Sequence, residues 1–427
     1  MSYIDTFYRR TIDDNCAFPV LSDIAECDTC VIGGGLAGIT TALQLLRAGQ
    51  AVVILEAERI GWGASGRNGG FVSPGYAKDA DAIERAVGAD HARKLHALSI
   101  EGMKFVRDTI GELDIVAAAP THGIMRVVRY ENSQTLLARA DYLQREFDYS
   151  VEYMSRDQVQ DVLRSKRYFQ ALRDPQAFHI HPLNYLRAVA REIERLGGRI
   201  FEGSPALSCD FSRSEKIVRT ARGEIRTRRV VVAGGGYTTG LIPKMKRSFL
   251  PIATYVMMTE EAPDLIRQAI TTTDAVGDNR RAGDYYRVVE GGKRLLWGGR
   301  ITTRAASSAA LAAELRREMA RTYPQLADLK IETSWSGLMS YARHLMPQIG
   351  QLHPDVWYCT AFGGHGLNTT AIGGKVIAEA ILGESDRYEL FKPFGLVWAG
   401  GIGGLTAAQL TYWKLQAQDW WRERSSV

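Results

Sequence analysis

The 427-residue chain has little cysteine, and the cysteine it has builds no framework. Its five cysteines, Cys16, Cys27, Cys30, Cys209 and Cys359, are odd in number and widely scattered. That excludes a disulfide scaffold and fits a reducing compartment, so a cytoplasmic setting is expected. Cys27 and Cys30 spell C-x-x-C. No second such pair and no His pair completes a metal site, and extended residues three apart point to opposite faces, so no metal is expected. Excess charge of one sign is also missing: 53 basic residues stand against 48 acidic ones, a net of +5. Without a long basic run interleaved with aromatics, nucleic acid is excluded as a partner. Residues 1–25 carry charges throughout and lack the apolar core of a signal peptide. Long hydrophobic runs are absent except at residues 394–413, which hold 20 residues without a formal charge between Lys392 and Lys414. That length reaches the transmembrane threshold. Five glycines and Thr406, Gln409 and Thr411 dilute its apolar character. Three readings stay open for it: packing on the protein, spanning a bilayer, or lying in a membrane interface anchored by Trp398, Tyr412, Trp413, Trp420 and Trp421.

What the chain has is glycine, 42 residues of it, much of it clustered. With 45% apolar and 24% charged residues, the chain can bury a large core, and its length allows two or three domains. Residues 29–56 read as strand, glycine turn, helix, strand, the unit that builds parallel sheets. Residues 80–115 read as one amphipathic helical stretch, followed by a strand over 121–129 and a helix over 134–147. This interrupts the β–α–β alternation and predicts an inserted domain. His181-Pro182 opens a further helix, with Pro at the first helical position, and Gly197-Gly198 closes it. Residues 199–202 and 225–233 return to strand character. Residues 285–289 and 294–297 flank Glu290-Gly291-Gly292-Lys293, a hairpin signal. A helix follows over 309–322, and 356–382 form a last strand, glycine turn and helix. The predicted class is α/β: a discontinuous Rossmann-type domain over 1–77, 181–240 and 334–392, an α+β domain over 78–180 and 241–333, and a C-terminal segment over 393–427.

Three glycine clusters carry the chemistry. Gly33-Gly34-Gly35-Leu36-Ala37-Gly38 satisfies G-x-G-x-x-G between a strand and a helix, and Glu56 follows 18 positions after Gly38, at the end of the next strand. In that context the first glycine permits the tight turn, Gly35 lets backbone approach a pyrophosphate, and Gly38 allows close helix packing. The helix N-terminus offers free N–H groups to the phosphates. Glu56 accepts from a ribose. NAD and FAD share this fingerprint. The second cluster, Gly61-Trp62-Gly63-Ala64-Ser65-Gly66-Arg67-Asn68-Gly69-Gly70, favours FAD: five glycines in ten residues suit backbone lying against a flat, bulky ring. Ser65, Arg67 and Asn68 supply donors there. The third, Phe362-Gly363-Gly364-His365-Gly366-Leu367-Asn368-Thr369, again opens a helix, whose positive end suits the negative charge of a reduced flavin. His365 either assists that chemistry or caps and packs.

Taken together, these clusters resemble the D-amino-acid-oxidase-like flavoprotein superfamily, which includes glycine and sarcosine oxidases. The run Cys27 to Gly35, the run Gly63 to Gly70, His179-Ile180-His181-Pro182-Leu183-Asn184, Asp284-Tyr285-Tyr286-Arg287 and Gly364-His365-Gly366 resemble its γ-glutamylputrescine oxidase branch, with bacterial L-pipecolate oxidase as a neighbour. The resemblance implies an FAD domain and a substrate domain with a β-sheet over the flavin. It implies oxidation of a C–N bond of a small amine or of an imino or amino acid, by hydride transfer to flavin N5, giving an imine. Oxygen or a membrane quinone would take the electrons, the latter with peripheral contact to the inner membrane. Tyr286, Arg287, Trp335 and His365 are the expected catalytic residues, with Tyr285 and Trp297 as further walls. FAD contacts are expected from Gly33, Gly35, Leu36, Ala37, Gly38, Glu56, Ala57, Ser65, Gly66, Arg67, Asn68, Gly69, Gly70, Leu207, Gly234, Gly364, His365, Gly366, Leu367, Asn368 and Thr369. Amino-acid oxidases of the superfamily carry an Arg in the segment matching Trp335-Ser336-Gly337-Leu338-Met339, where this chain has Met339; Arg343 and Arg287 are the candidate substitutes. No Cys lies between residues 331 and 358 to tether flavin, so FAD is expected to be non-covalent. A non-catalytic nucleotide-binding module and an NAD-dependent dehydrogenase are the alternatives.

Overall fold

The structure is a computed structural model that describes residues 2–238, 240–280, 283–302 and 308–425. Val52–Leu55 is buried along its whole length, and Ile24–Ile32 and Glu224–Val232 are buried at their C-terminal ends. Strands covered on both faces read as apolar runs and pair in parallel. They do so here: the sheet runs Gln348–His353, Val356–Thr360, Glu224–Val232, Ile24–Ile32, Val52–Leu55, Arg199–Phe201. Its pairs are parallel except the first, and a hairpin of Ser208–Asp210 and Lys216–Arg219 extends Glu224–Val232. Helix Leu36–Arg47 packs against Gly366–Leu382, where a Cβ at Gly374 would stand 2.5 Å from Ala37 O. Ile32, Leu55, Val232 and Thr360 therefore end at one edge of one sheet, and the glycine turns that follow them emerge together.

Among the described residues the second sheet has nine strands. Its path is Ile331–Ala342, Phe249–Thr259, Arg294–Thr302, Tyr285–Val289, Ala275–Asp278, Thr121–Val127, Ala171–His179, Phe71–Val72, and Glu152–Met154 also pairs with Ala171–His179. Among the described residues only Ala275–Asp278 and Thr121–Val127 pair in parallel. Side chains alternate between faces with period two. One face packs under helix Ser308–Thr322 through Met257, Tyr286, Leu295, Trp297, Leu315 and Tyr323. The other presents Val256, Met258, Leu296 and Trp335 to Leu183, Tyr3 and Tyr8, and so turns toward the nucleotide domain.

Several elements differ from expectation. The stretch 80–115 is two helices, Ala80–Val87 and Ala89–Glu112, broken at Gly88 with φ 84°. Phe71–Val72 and Ile331–Ala342 belong to the second sheet. The N-terminal segment forms a short helix, Phe7–Arg10, and buries Tyr3, Phe7 and Tyr8. The C-terminal segment contains helix Gly401–Ser425, and among the described residues no helix is long and apolar enough to cross a membrane. This helix rests on the protein through buried Gln409, and Glu423 approaches Arg129 (3.9 Å) and Arg280 (4.0 Å).

Candidate functional site

Gly33 adopts φ 116°, a conformation side chains resist, and a Cβ there would stand 2.7 Å from Ala233 O. The turn thus needs glycine both for its backbone and for its neighbour. Helix Leu36–Arg47 starts at Gly35 with no side-chain cap, so its first-turn N–H groups lack partners inside the helix. Leu36 N donates to Ser65 Oγ (3.1 Å) and Gly61 N donates to Gly34 O (3.0 Å), which joins the second glycine cluster to the first. Glu56 is anchored by two backbone donors, Gly34 N (2.7 Å) and Glu58 N (2.9 Å). Burial pushes its carboxyl above the ordinary range, and those two N–H groups oppose the shift. Gly234 abuts Gly33, its N 3.0 Å from the position of a Gly33 Cβ. Ala57 is exposed beside Glu56; exposed Leu207 follows Ser204, whose N–H donates to Glu56 O (2.8 Å).

In the second cluster, Arg67 lies 4.1 Å over the Trp62 ring and its Nη1 donates weakly to Tyr237 OH and Ser336 O, both at 3.4 Å. Its Nη2 is buried with no partner, and no carboxylate lies within 4.0 Å among the described residues. Burial lowers its pKa. A buried guanidinium N–H without an acceptor is costly, so this donor calls for an acceptor from a ligand. Open helix N–H groups, an anchored ribose-type acceptor and an orphaned cationic donor fit FAD. Asn68 departs from its expected donor role: its Nδ2 donates to Ser65 O (2.8 Å) and Ala64 O (3.2 Å), and its Oδ1 accepts from Gly70 N (2.8 Å). It shapes the loop.

The third cluster reaches the same place. Gly363 has φ 62°, and His365 precedes helix Gly366–Leu382 without capping it. His365 Nε2 accepts from Arg126 Nη2 (3.1 Å), which places the ring proton on Nδ1. Burial, then the charge of Arg126, lowers the His365 pKa to about 3, so the ring stays neutral. Asn368 is a structural tie, donating to Gly75 O (3.2 Å) and Ser99 O (3.4 Å), and the Thr369 hydroxyl donates to His365 O. Leu367 is buried.

The second sheet closes over these turns. Trp335 Nε1 donates to Arg67 O (2.9 Å), and a Cβ on Gly337 would lie 3.7 Å from Arg67 Cβ. Pairing of Ile331–Ala342 with Phe249–Thr259 is regular from Trp335 to Ala342, so Trp335, Gly337, Met339 and Tyr341 share one face. Tyr341 OH reaches within 2.8 Å of the position of a Gly364 Cβ, and Tyr285 packs edge-on against Phe71 at 5.6 Å beside Gly69. A Cβ at Gly298 would overlap the Tyr285 ring.

The same alternation corrects two expectations. Tyr286 and Trp297 lie on the opposite, helix-covered face, stacked on each other at 4.2 Å, and Tyr286 OH bonds Tyr323 OH (2.6 Å) and Tyr168 OH (3.2 Å). Arg287 is buried. Its Nη atoms donate to His179 Nδ1 (2.9 Å), Tyr8 OH (3.1 Å) and Ile180 O (2.9 Å), and its Nε has no partner. It ties the N-terminal helix to the sheet. Arg343 is exposed beyond the end of its strand. Four further residues reach the turns without a motif to mark them: Tyr8, whose OH donates to Asn68 O (2.7 Å), Tyr341, Ser73 and Arg126. The adjacent Phe7-Tyr8 pair was the available signal for the first; for the others, only sheet register brings them to the turns.

Comparison with known proteins agrees with this geometry. Residues 28–380 match the model of the DAO family, described as FAD dependent oxidoreductase. The chain is 33% identical over 391 residues to gamma-glutamylputrescine oxidoreductase of Escherichia coli (strain K12), covering 91% of each protein. Glycine oxidase from Geobacillus kaustophilus superposes with a TM-score of 0.72 at 18% identity, covering 87% of this chain and 98% of that one. L-proline dehydrogenase from P. horikoshii gives 0.70 at 19% identity, covering 89% and 100%.

Proposed function

The chain belongs to the DAO family of FAD-dependent oxidoreductases, and from that membership we propose that it oxidises a C–N bond of a small amine or of an imino or amino acid, such as a γ-glutamylputrescine-like amine or L-pipecolate, to an imine. The observation that carries this reading is the convergence of three glycine turns beneath an aromatic sheet face, around the orphaned Arg67 Nη2. FAD, when bound, supplies the two-electron acceptor for the C–H bond beside nitrogen. The residues present would hold it as follows. The Gly33–Gly38 turn and open helix N–H groups would bind the pyrophosphate, Glu56 would accept from a ribose, and Arg67 with the start of Gly366–Leu382 would offer donors to the flavin. Tyr285, Trp335 and Tyr341 wall the space between sheet and turns, exclude water and orient the donor carbon. With Nε2 taken by Arg126, neutral His365 carries its proton on Nδ1 to offer as a donor and does not repel an ammonium group. Positioning supplies most of the catalysis in this scheme, and no residue need act as general base.

Oxygen or a membrane quinone is the proposed acceptor. Trp398, Trp420 and Trp421 are exposed, and Lys414, Arg422 and Arg424 belong to the same C-terminal segment, which supports peripheral membrane contact. The test is turnover of purified protein with γ-glutamylputrescine, L-pipecolate, sarcosine and D-amino acids, with oxygen or a soluble quinone as acceptor. Carbonyl product formed by imine hydrolysis is expected from at least one donor. No product from any donor with either acceptor would reject the proposal.

A further inference from the structure

Arg126 sits on Thr121–Val127 in the middle of the second sheet, two residues from Ile124, which joins the core shared with the nucleotide domain. Its side chain is therefore on the sheet face that looks toward the glycine turns. It is solvent-accessible there, and its Nη2 touches only neutral groups: Ser73 Oγ at 3.0 Å and His365 Nε2 at 3.1 Å. No carboxylate lies within 4.0 Å of the guanidinium among the described residues. The acid that acts on it most, Asp174, is already engaged by Tyr149 OH (2.7 Å) and by the N–H groups of Gln176 and Ala177 (3.0 Å each). A cation left with two neutral partners at an accessible position on this face has donors to offer an anion.

The neighbourhood matches. His365 adjoins Gly364, Gly364 meets Tyr341 OH, and Tyr341 shares a face with Met339, where no charge is supplied. Of the other cations considered, Arg343 is exposed beyond its strand, and Arg287 is committed to Tyr8, His179 and Ile180. Resting on the reading under Proposed function, we propose that Arg126 is the residue that binds a carboxylate of the substrate, so that the substrate class is an amine bearing a carboxylate rather than a simple alkylamine. Ser73 holds the guanidinium at the depth of the third turn, and His365, as a neutral acceptor, orients it without cancelling its charge.

The test uses FAD-loaded full-length enzyme and small non-reactive probes, so it does not depend on turnover. Acetate, propionate and benzoate, and their amides, are titrated while perturbation of the flavin absorption bands is followed. Wild-type protein is expected to bind at least one carboxylate and to bind its amide roughly 10-fold or more weakly. Arg126→Met should weaken that carboxylate roughly 30-fold or more while the amide binds unchanged, and Arg126→Lys should recover part of the loss. An unchanged carboxylate affinity in Arg126→Met, equal binding of carboxylates and amides by the wild type, or no response to any carboxylate would each overturn the assignment. If Arg126→Met fails to retain FAD, the wild-type carboxylate-to-amide ratio and Arg126→Lys decide it. Failure of amine oxidation would show instead as an absence of product with every donor, leaving these affinities intact.

Discussion

Glu56 receives two backbone N–H groups, from Gly34 and Glu58, so its carboxylate is fixed before any ribose arrives. Glu56→Ala removes that acceptor and is expected to weaken FAD binding roughly 10- to 100-fold, the range for hydrogen bonds to a charged group. Fluorescence titration of apoprotein checks this, and an unchanged Kd would take Glu56 out of the site. Tyr286 sits in the opposite situation, closed off with Tyr168, Tyr323 and Trp297. Tyr286→Phe should cost about 1–2 kcal/mol of stability in denaturant unfolding and leave flavin reduction within about twofold. A large loss of reduction rate at normal stability would return Tyr286 to the reacting centre. The placement of Glu56 beside the first glycine turn was legible in the sequence because its spacing from Gly38 is local. The choice between Tyr285 and Tyr286 was not: adjacent strand residues face opposite ways, and sequence alone leaves open which way is inward.

At the scale of elements, the strand pair Tyr285–Val289 and Arg294–Thr302 carries the roof of the site, and its shape depends on Gly298 leaving room for the Tyr285 ring. Gly298→Ala is expected to push that ring toward the glycine turns and slow anaerobic flavin reduction roughly 10-fold or more, with FAD still bound, because donor placement is sensitive to shifts near 1 Å. Normal reduction kinetics in this variant would show that Tyr285 does not bound the donor. The hairpin was readable from its Glu-Gly-Gly-Lys turn, and the first β–α–β unit from its period. Phe71–Val72, Ala171–His179 and Ile331–Ala342 were not, since their partners lie far away in sequence and their pairing leaves no local signature. The break at Gly88 was missed because amphipathic spacing continues on both sides of it.

At the scale of the whole molecule, the interface between the two sheets is closed by buried neutral histidines. His179 and His181 both have pKa values lowered to about 3, first by burial and then by the charge of Arg287. Unfolded histidine titrates near 6.5, so below that pH the unfolded chain binds more protons than the folded one and stability falls. The expected loss approaches about 2 kcal/mol per histidine by about pH 5, as an upper bound, with no contribution from these groups above about pH 7.5. Unfolding midpoints across this range measure it, and a flat profile down to about pH 5 would contradict the neutral assignment. The α/β class was legible from glycine turns that each follow a strand and open a helix, whereas the lock formed by Tyr8, Arg287 and His179 depends on contacts between remote segments. In the proposed reading all of it serves one arrangement: a flavin cradle roofed by a second sheet. The most direct check is anaerobic mixing of the yellow holoprotein with carboxylate-bearing amines while the flavin absorption is recorded. Rapid bleaching by at least one of them, with the colour restored on admitting an electron acceptor, is the predicted result. Colourless protein that takes up no FAD, or a flavin spectrum that no amine changes, would contradict it.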